Sequence, residues 1–156
     1  MRKKIIVTLA CILTAISILY VIPVEASRYT HVSGKWTYRL TRDELMNEYN
    51  GYIFVYGEEE ANWTGGLDGN SFDIFNLVVS PPIVRVNGII FFEGSIGDRE
   101  GTLVIKFVGR LNENYGLWRG TWIILEGTGE LENAHGYGIW KGPPFNLDYS
   151  GKVYFR

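Results

Sequence analysis

Five aromatic side chains have the types and spacing expected of a binding site for a small apolar or phenolic molecule. Polar and apolar residues alternate around them, which puts their rings on the inward face of predicted strands. Such rings can line a cavity, and tyrosine hydroxyls can orient a ligand within it. The same stripe is also typical of a solid aromatic core, so both interpretations stay open. The five residues are Tyr38, Phe107, Trp118, Trp122 and Tyr149.

Residues that commonly perform catalysis are scarce. His31 and His135 lie far apart in the sequence, and neither belongs to a zinc-binding motif. No Gly-x-Ser-x-Gly run indicates a nucleophilic serine. We therefore assign no catalytic residue, no metal site and no cofactor.

One carboxylate has two possible environments. Glu93 follows Ile89 and Phe91 at strand spacing, so a regular strand would place it inside with a raised pKa. If Gly94 and Gly97 interrupt the strand, the carboxylate instead reaches water, as glutamates generally do.

Two further polar signals are weaker. The run Glu58-Glu59-Glu60 is interpreted as a solvated stretch in a loop, although with Asp68 and Asp73 it would offer oxygen ligands to calcium. Its spacing matches no EF-hand loop. Asn62-Trp63-Thr64 is a glycosylation sequon, usable if the chain is exported and Asn62 is exposed.

The N-terminus predicts export. Basic residues at positions 2–4 precede an uncharged apolar run, Ile5 to Val24, and Val24-Glu25-Ala26 resembles a cleavage site. Residues 1–26 are therefore a signal peptide or, because the run is long enough to span a bilayer, an uncleaved anchor. Either way the remaining domain, residues 27–156, is extracytoplasmic: secreted, or tethered to the outer face of the membrane through residues 5–24 alone.

Charge excludes some partners. The net charge of the chain is −2, and its only cysteine, Cys11, lies in the apolar run. Removing the basic N-terminus makes the remaining domain more acidic, which argues against nucleic acid and anionic lipid as partners. Without cysteines, that domain depends on its core for stability.

The elements that would position these side chains are short strands. Alternation recurs from Ser33 to the C-terminus, and turn residues separate about eight strands, as in a closed antiparallel barrel or a sandwich. Asn87-Gly88 predicts a two-residue hairpin turn. Thr41 to Glu44 matches a helix capping box with Gly51 as a stop, so this segment is either a short helix or a strand connection. The inward residues are Trp36, Tyr38, Leu103, Ile105, Phe107, Trp118, Trp122, Ile124, Tyr149, Val153 and Phe155.

Several runs resemble one family. Residues 97–104 look like its strand opening, Trp118 to Trp122 contains a Gly-Thr-Trp strand, and Leu147-Asp148-Tyr149 resembles its closing run. Gly127-Thr128-Gly129-Glu130-Leu131 matches its most recognisable run. The chain thus resembles the DUF3224 family, which is related to the allene oxide cyclase-like barrels.

The resemblance implies an all-β fold, a closed antiparallel barrel of about eight strands similar to allene oxide cyclases and lipocalins. We expect the N-terminal apolar segment, the signal or anchor, to form a helix that precedes this barrel. The family has no assigned function, and Phe107 replaces a histidine that many members carry. Related cyclase and dirigent barrels act on apolar or phenolic molecules in a cavity. We expect an exported structural or binding module with such a cavity. The alternative is an isomerase-like or cyclase-like enzyme, and the oligomeric state stays open.

Overall fold

The computed structural model describes residues 29–156, which form an all-β structure of eight antiparallel strands. Each strand pairs with the next, and β1 pairs with β8, so the sheet closes into a barrel. The predicted signal segment, with Cys11 and the cleavage site, lies outside the described residues. Within 29–156, no helix has the length and apolar character needed to cross a membrane. The strands are β1 (Thr30–Tyr49), β2 (Tyr52–Gly65), β3 (Asp68–Ser80), β4 (Ile83–Ile96), β5 (Arg99–Asn112), β6 (Leu117–Gly129), β7 (Ala134–Gly142) and β8 (Asn146–Phe155).

Alternation correctly predicted the interior. All eleven residues that it placed inside belong to the core or pack against it. Side chains along a strand point alternately to the two faces of a sheet, so this pattern is a local property of the sequence. The pattern also extends to interior aromatic residues that the sequence analysis did not single out, namely Trp63, Phe75, Phe92 and Trp140.

The helix considered for the segment after Thr41 is wrong. β1 continues as a strand to Tyr49 and pairs with β2, with Glu44 opposite Tyr56. Asn50 and Gly51 then turn the chain, and both have positive φ, at 49° and 79°. This Asn-Gly pair forms the two-residue hairpin turn, because these two residue types tolerate the left-handed conformation. The capping-box match did not indicate a helix here, because the segment pairs with a neighbouring strand.

The hairpin turn predicted at Asn87-Gly88 is also wrong. Both residues lie in the middle of β4, where Asn87 is opposite Val108 of β5. The chain reverses earlier, at Pro81 and Pro82, between β3 and β4. Gly88 is required for a different reason: a Cβ there would lie 2.5 Å from the ring of Phe107. The glycine makes room for an interior aromatic ring.

Similar pairings of large rings with glycines recur around the barrel. A Cβ at Gly138 would lie 2.5 Å from the indole of Trp122, and one at Gly120 would lie 2.4 Å from that of Trp140. The indoles therefore lie directly against bare backbone. This packing explains why the sequence is rich in both glycine and aromatic residues.

One end of the barrel is filled by its own turns. The turn between β2 and β3 places Leu67 inside, and the turn between β6 and β7 does the same with Leu131; both are almost fully buried. The Leu67 N–H donates to the Tyr149 hydroxyl at 2.7 Å, and that hydroxyl contacts the carbonyl oxygens of Leu67 and Thr64 at 3.1 and 3.2 Å. We call this the closed end. The turns between β1 and β2, β3 and β4, β5 and β6, and β7 and β8 lie at the opposite, open end.

Candidate functional site

The open end contains a cavity of about 400 Å³ inside the barrel. A volume of this size is within the range of small-molecule sites. Most of its lining is apolar and comes from strands β1 to β8 and the turn between β7 and β8. The residues that line the cavity include Trp36, Tyr38, Asp43, Glu59, Phe75, Leu77, Phe107, Glu113, Trp118, Trp140 and Phe145.

Aromatic rings form the floor and part of the wall. Trp36 stacks on Trp63 with ring centroids 5.0 Å apart and planes within 12° of each other, which separates the cavity from the closed end. Phe107 and Trp140 meet the Trp36 ring edge-on, at 5.4 and 5.8 Å. Such edge-to-face contacts hold the rings in a defined arrangement. The cavity therefore has a rigid aromatic base.

Rings also surround the upper part of the cavity. Tyr38 lies 5.4 Å from Phe145, in the turn between β7 and β8, and its backbone N–H donates to the Phe145 carbonyl at 3.2 Å. Trp118 lies 6.1 Å from Trp140 and is only partly buried. These contacts place Tyr38 and Trp118 between the aromatic base and the solvent.

Two acidic residues lie side by side on the inner face of the barrel. Glu59 of β2 is directly opposite Asp73 of β3, and both are buried. Glu59 borders the cavity, whereas Asp73 is fully enclosed behind it. Neither oxygen of Asp73 has a hydrogen-bond partner, and the Nε1 of Trp36 also lacks one. Buried polar atoms without partners are uncommon in proteins, so this pair is an unusual feature of the interior.

The environment of the pair favours retention of a proton. Burial raises the pKa of Glu59, and the negative charge of the neighbouring Asp73 raises it further. Burial also raises the pKa of Asp73. Two adjacent carboxylates in an apolar site cannot both ionise without a large electrostatic cost, so the pair shares a proton near neutral pH. Burial and the nearby Glu59 also raise the pKa of Tyr38.

The interpretation of residues 58–60 as a solvated loop is wrong. The run lies within β2, so its side chains alternate: Glu58 and Glu60 point outward, whereas Glu59 points inward. Within residues 29–156, no three side chains of the types that bind metals come together, so the calcium arrangement with Asp68 and Asp73 is not formed. The sequence contains a signal for this placement. Glu59, Ala61 and Trp63 occupy every second position of the strand, so the three side chains point to the same, inward face.

The five predicted ligand-binding residues separate into two groups. Tyr38, Phe107 and Trp118 border the cavity together. Trp122 lies beside Gly138 in the barrel wall and does not line the cavity. The Tyr149 hydroxyl is bonded to the turn at the closed end. The structure therefore brings three of the five residues to one site.

The remaining polar candidates lie outside the barrel interior. Glu93 is exposed, because Phe92 rather than Phe91 points inward in β4. His31 and His135 are both exposed, and the His135 ring stacks on Tyr154 at 5.3 Å. Asn62 is exposed on β2, which meets one condition for glycosylation, and its modification stays a prediction.

The Gly127–Leu131 run has a clear structural role. It ends β6 and starts the turn that fills the closed end, where Leu131 is fully buried. The Glu130 carboxylate accepts a hydrogen bond from the Glu100 N–H at 3.0 Å, and the Glu130 N–H donates to the Glu100 carbonyl at 2.9 Å. A Cβ at Gly127 would lie 2.0 Å from the Leu131 carbonyl oxygen. The run is therefore part of the turn that closes the barrel.

Comparison with known proteins supports the fold. No family model matches the sequence, and no curated protein is similar to it. A crystal structure of a protein of unknown function from the DUF3224 family of Shewanella oneidensis MR-1 is similar, with a TM-score of 0.68 and 19% sequence identity. The similarity covers 83% of this chain and 98% of that one. In agreement with the resemblance seen in its sequence, the chain has the fold of a DUF3224 family structure.

Proposed function

We propose that this chain is an exported barrel protein that binds a small apolar or phenolic molecule in its open half. The observation that carries the proposal is the cavity of about 400 Å³ above the stacked Trp36 and Trp63 rings. Burial of apolar ligand surface in such a cavity contributes roughly 25 cal/mol per Å². The Tyr38 hydroxyl and Glu59 offer polar contacts that would orient a phenol.

Occlusion of the cavity tests this proposal. Leu77 borders the cavity and is partly buried, so Leu77→Trp should fill it with an indole ring. Ile139→Trp, on the exposed outer face of β7, is the matched control. Phenolic and apolar probes should quench the tryptophan fluorescence of the wild-type protein saturably, because three indoles line the cavity. Leu77→Trp should abolish this binding and Ile139→Trp should retain it. Failure of every probe to bind wild-type protein would refute the proposal.

Export is tested separately. The basic residues 2–4 and the apolar run that follows support it. Mass spectrometry of fractionated cells should find an N-terminus at Ser27 on released protein, or an intact N-terminus on membrane-bound protein. Intact Met1 on soluble protein inside the cell would contradict export.

The carboxyl pair favours a second candidate function, an isomerase-like or cyclase-like enzyme. A protonated Glu59 facing an apolar cavity has the position and the raised pKa of a general acid. An isomerase leaves the mass of its substrate unchanged, so chromatography of bound ligands before and after incubation provides the assay. Turnover lost in Glu59→Gln with binding retained would support the enzyme. Chemically unchanged ligands in the wild-type protein would support binding alone.

A further inference from the structure

The Glu59–Asp73 pair lacks a positive partner. In the described part of the chain, the salt bridges use other carboxylates, all of them outside the barrel interior. Glu60, the neighbour of Glu59, is one of these and pairs with Arg39. A buried carboxylate without a cation carries a large desolvation cost, which a shared proton relieves only in part. In the described part of the chain, no cationic side chain therefore balances the negative charge of the pair.

The same cavity is unusually rich in aromatic rings. Trp36, Phe107 and Trp140 form its base, and Tyr38 and Trp118 line its upper part. The face of an aromatic ring attracts cations, and the attraction strengthens where water is excluded. An aromatic enclosure beside an unpaired carboxylate is the combination that recognises an ammonium group.

The charges around the cavity have one sign. Besides Glu59, its lining includes Asp43 on β1 and Glu113 in the turn between β5 and β6. Among residues 29–156, no Lys, Arg or His borders this cavity. Acidic groups that line a cleft raise the local concentration of cations and disfavour anions.

From these three observations we propose that the lumen selects an organic cation, whose ammonium group lies against Glu59 and whose apolar body fills the aromatic cavity. This inference rests on the proposed binding function and specifies the class of ligand. The pair that shares one proton carries one negative charge, and the bound cation would balance that charge while the proton stays on the pair. The other titratable groups that border the same cavity are Tyr38, Asp43 and Glu113.

A pair of isosteric probes tests the inference on the wild-type protein. Trimethylphenylammonium and tert-butylbenzene have nearly the same shape, but only the first carries a charge. We expect the cation to bind roughly tenfold more tightly in a tryptophan fluorescence titration, the scale of a desolvated cation–π contact plus a carboxylate.

Two variants then locate the charge. The double variant Glu59→Gln/Asp73→Asn should weaken cation binding roughly tenfold and leave binding of the neutral probe nearly unchanged, because it removes the negative charge of the pair but keeps its shape. Glu60→Gln, one residue away on the outer face, is the matched control and should change neither. Circular dichroism checks that each variant is folded.

The outcomes distinguish this inference from the proposed function. If the neutral probe binds as tightly as the cation, or the double variant Glu59→Gln/Asp73→Asn leaves cation binding unchanged, the charge selectivity is refuted and the apolar cavity stands. If neither probe binds, both proposals are overturned. Selective cation binding that depends on the Glu59–Asp73 pair but not on Glu60 supports both.

Discussion

The two ends of the barrel are built from the same eight strands but are filled differently. At the closed end, Leu67 and Leu131 enter the barrel from two turns and are almost fully buried. At the open end, the turn residues are exposed, and the space above Trp36 is lined by rings and by Glu59. An eight-stranded barrel is wide enough either to be packed with side chains or to hold one small ligand. In this protein the turns, rather than the strands, determine which of the two occurs at each end.

The two ends also differ in the hydrogen bonding of their buried polar groups. The Tyr149 hydroxyl, at the closed end, has its hydrogen bonds satisfied. At the open end, Asp73 and the Trp36 Nε1 have none. A protein tolerates unsatisfied buried groups mainly at sites that do something besides fold. The closed end is therefore the anchor of the fold, and the open end is the place where substitutions should alter binding.

The largest expected effect contrasts two tryptophans. Trp63 is almost fully buried, stacks on Trp36, and donates to the Ser71 hydroxyl at 3.0 Å. Trp63→Ala should cost about 3–5 kcal/mol, because it leaves a large void in packed surroundings. Trp118→Ala, at the open end, should cost about 1–2 kcal/mol, because its ring already borders a cavity. Chemical denaturation measures both, and equal losses would contradict the distinction between the two ends.

The second effect concerns pH. The folded-state pKa of Glu59 is raised to about 9, so between its ordinary value and that pH the folded chain holds a proton that the unfolded chain releases. This contribution to stability is fully present in acid and is lost as the pH rises. The free energy of unfolding should fall by up to about 1.4 kcal/mol per pH unit within this window.

Glu59→Gln should flatten that dependence, because its amide can donate to Asp73 at every pH. Glu60→Gln again serves as the control, since its carboxylate lies on the surface beside Arg39. Denaturation curves from pH 5 to 9 provide the measurement. A Glu59→Gln variant with the slope of the wild-type protein would show that the pair does not hold a proton.

A third effect tests the glycine–ring packing at the base of the cavity. Gly88→Val should cost about 1–3 kcal/mol, because its side chain would collide with the Phe107 ring. Asn87→Val, exposed in the same strand, should change stability by less than about 0.5 kcal/mol. Thermal denaturation compares the two. If Asn87 and Gly88 instead formed a tight turn, Asn87→Val would also be costly. A large loss of stability in Asn87→Val would therefore contradict the placement of these two residues within β4.

The smallest effect concerns the hydroxyl at the closed end. Tyr149→Phe should cost about 1–2 kcal/mol, because it leaves the buried Leu67 N–H without an acceptor. Tyr137→Phe, on the exposed face of β7, should have no measurable effect. Binding of the cavity probes should be unchanged in both variants. Weakened binding in Tyr149→Phe would show that the two ends are coupled.

The predictions from sequence succeeded and failed for different physical reasons. The face of the sheet to which a side chain points depends only on the position of the residue along its strand. Alternation therefore correctly placed residues such as Trp36, Phe107 and Val153 inside. Pairing is not local, and the two Asn-Gly pairs illustrate this. Asn50-Gly51 turns the chain because β1 and β2 meet there, whereas Asn87-Gly88 has β3 and β5 as neighbours on either side. Residue type alone permitted a turn at both places.

The candidate site shows the same division. Tyr38, Phe107 and Trp118 could be predicted because large rings on an inward face indicate a core or a cavity. The alternation of side chains along β2 could also have placed Glu59 inside. Its proximity to Asp73 could not be predicted, because it depends on the register between β2 and β3. A carboxylate acquires an unusual pKa from its neighbours in space.

By itself, the sequence determined that the domain is built of strands and which side chains face its interior, because the direction of a side chain follows from its position along a strand. It also carried the resemblance that the DUF3224 structure supports. Only the tertiary structure decided that one end is filled and the other hollow, and that Glu59 meets Asp73 there. Those features depend on which strands become neighbours and on which turns fold inward, and both are set when the sheet closes.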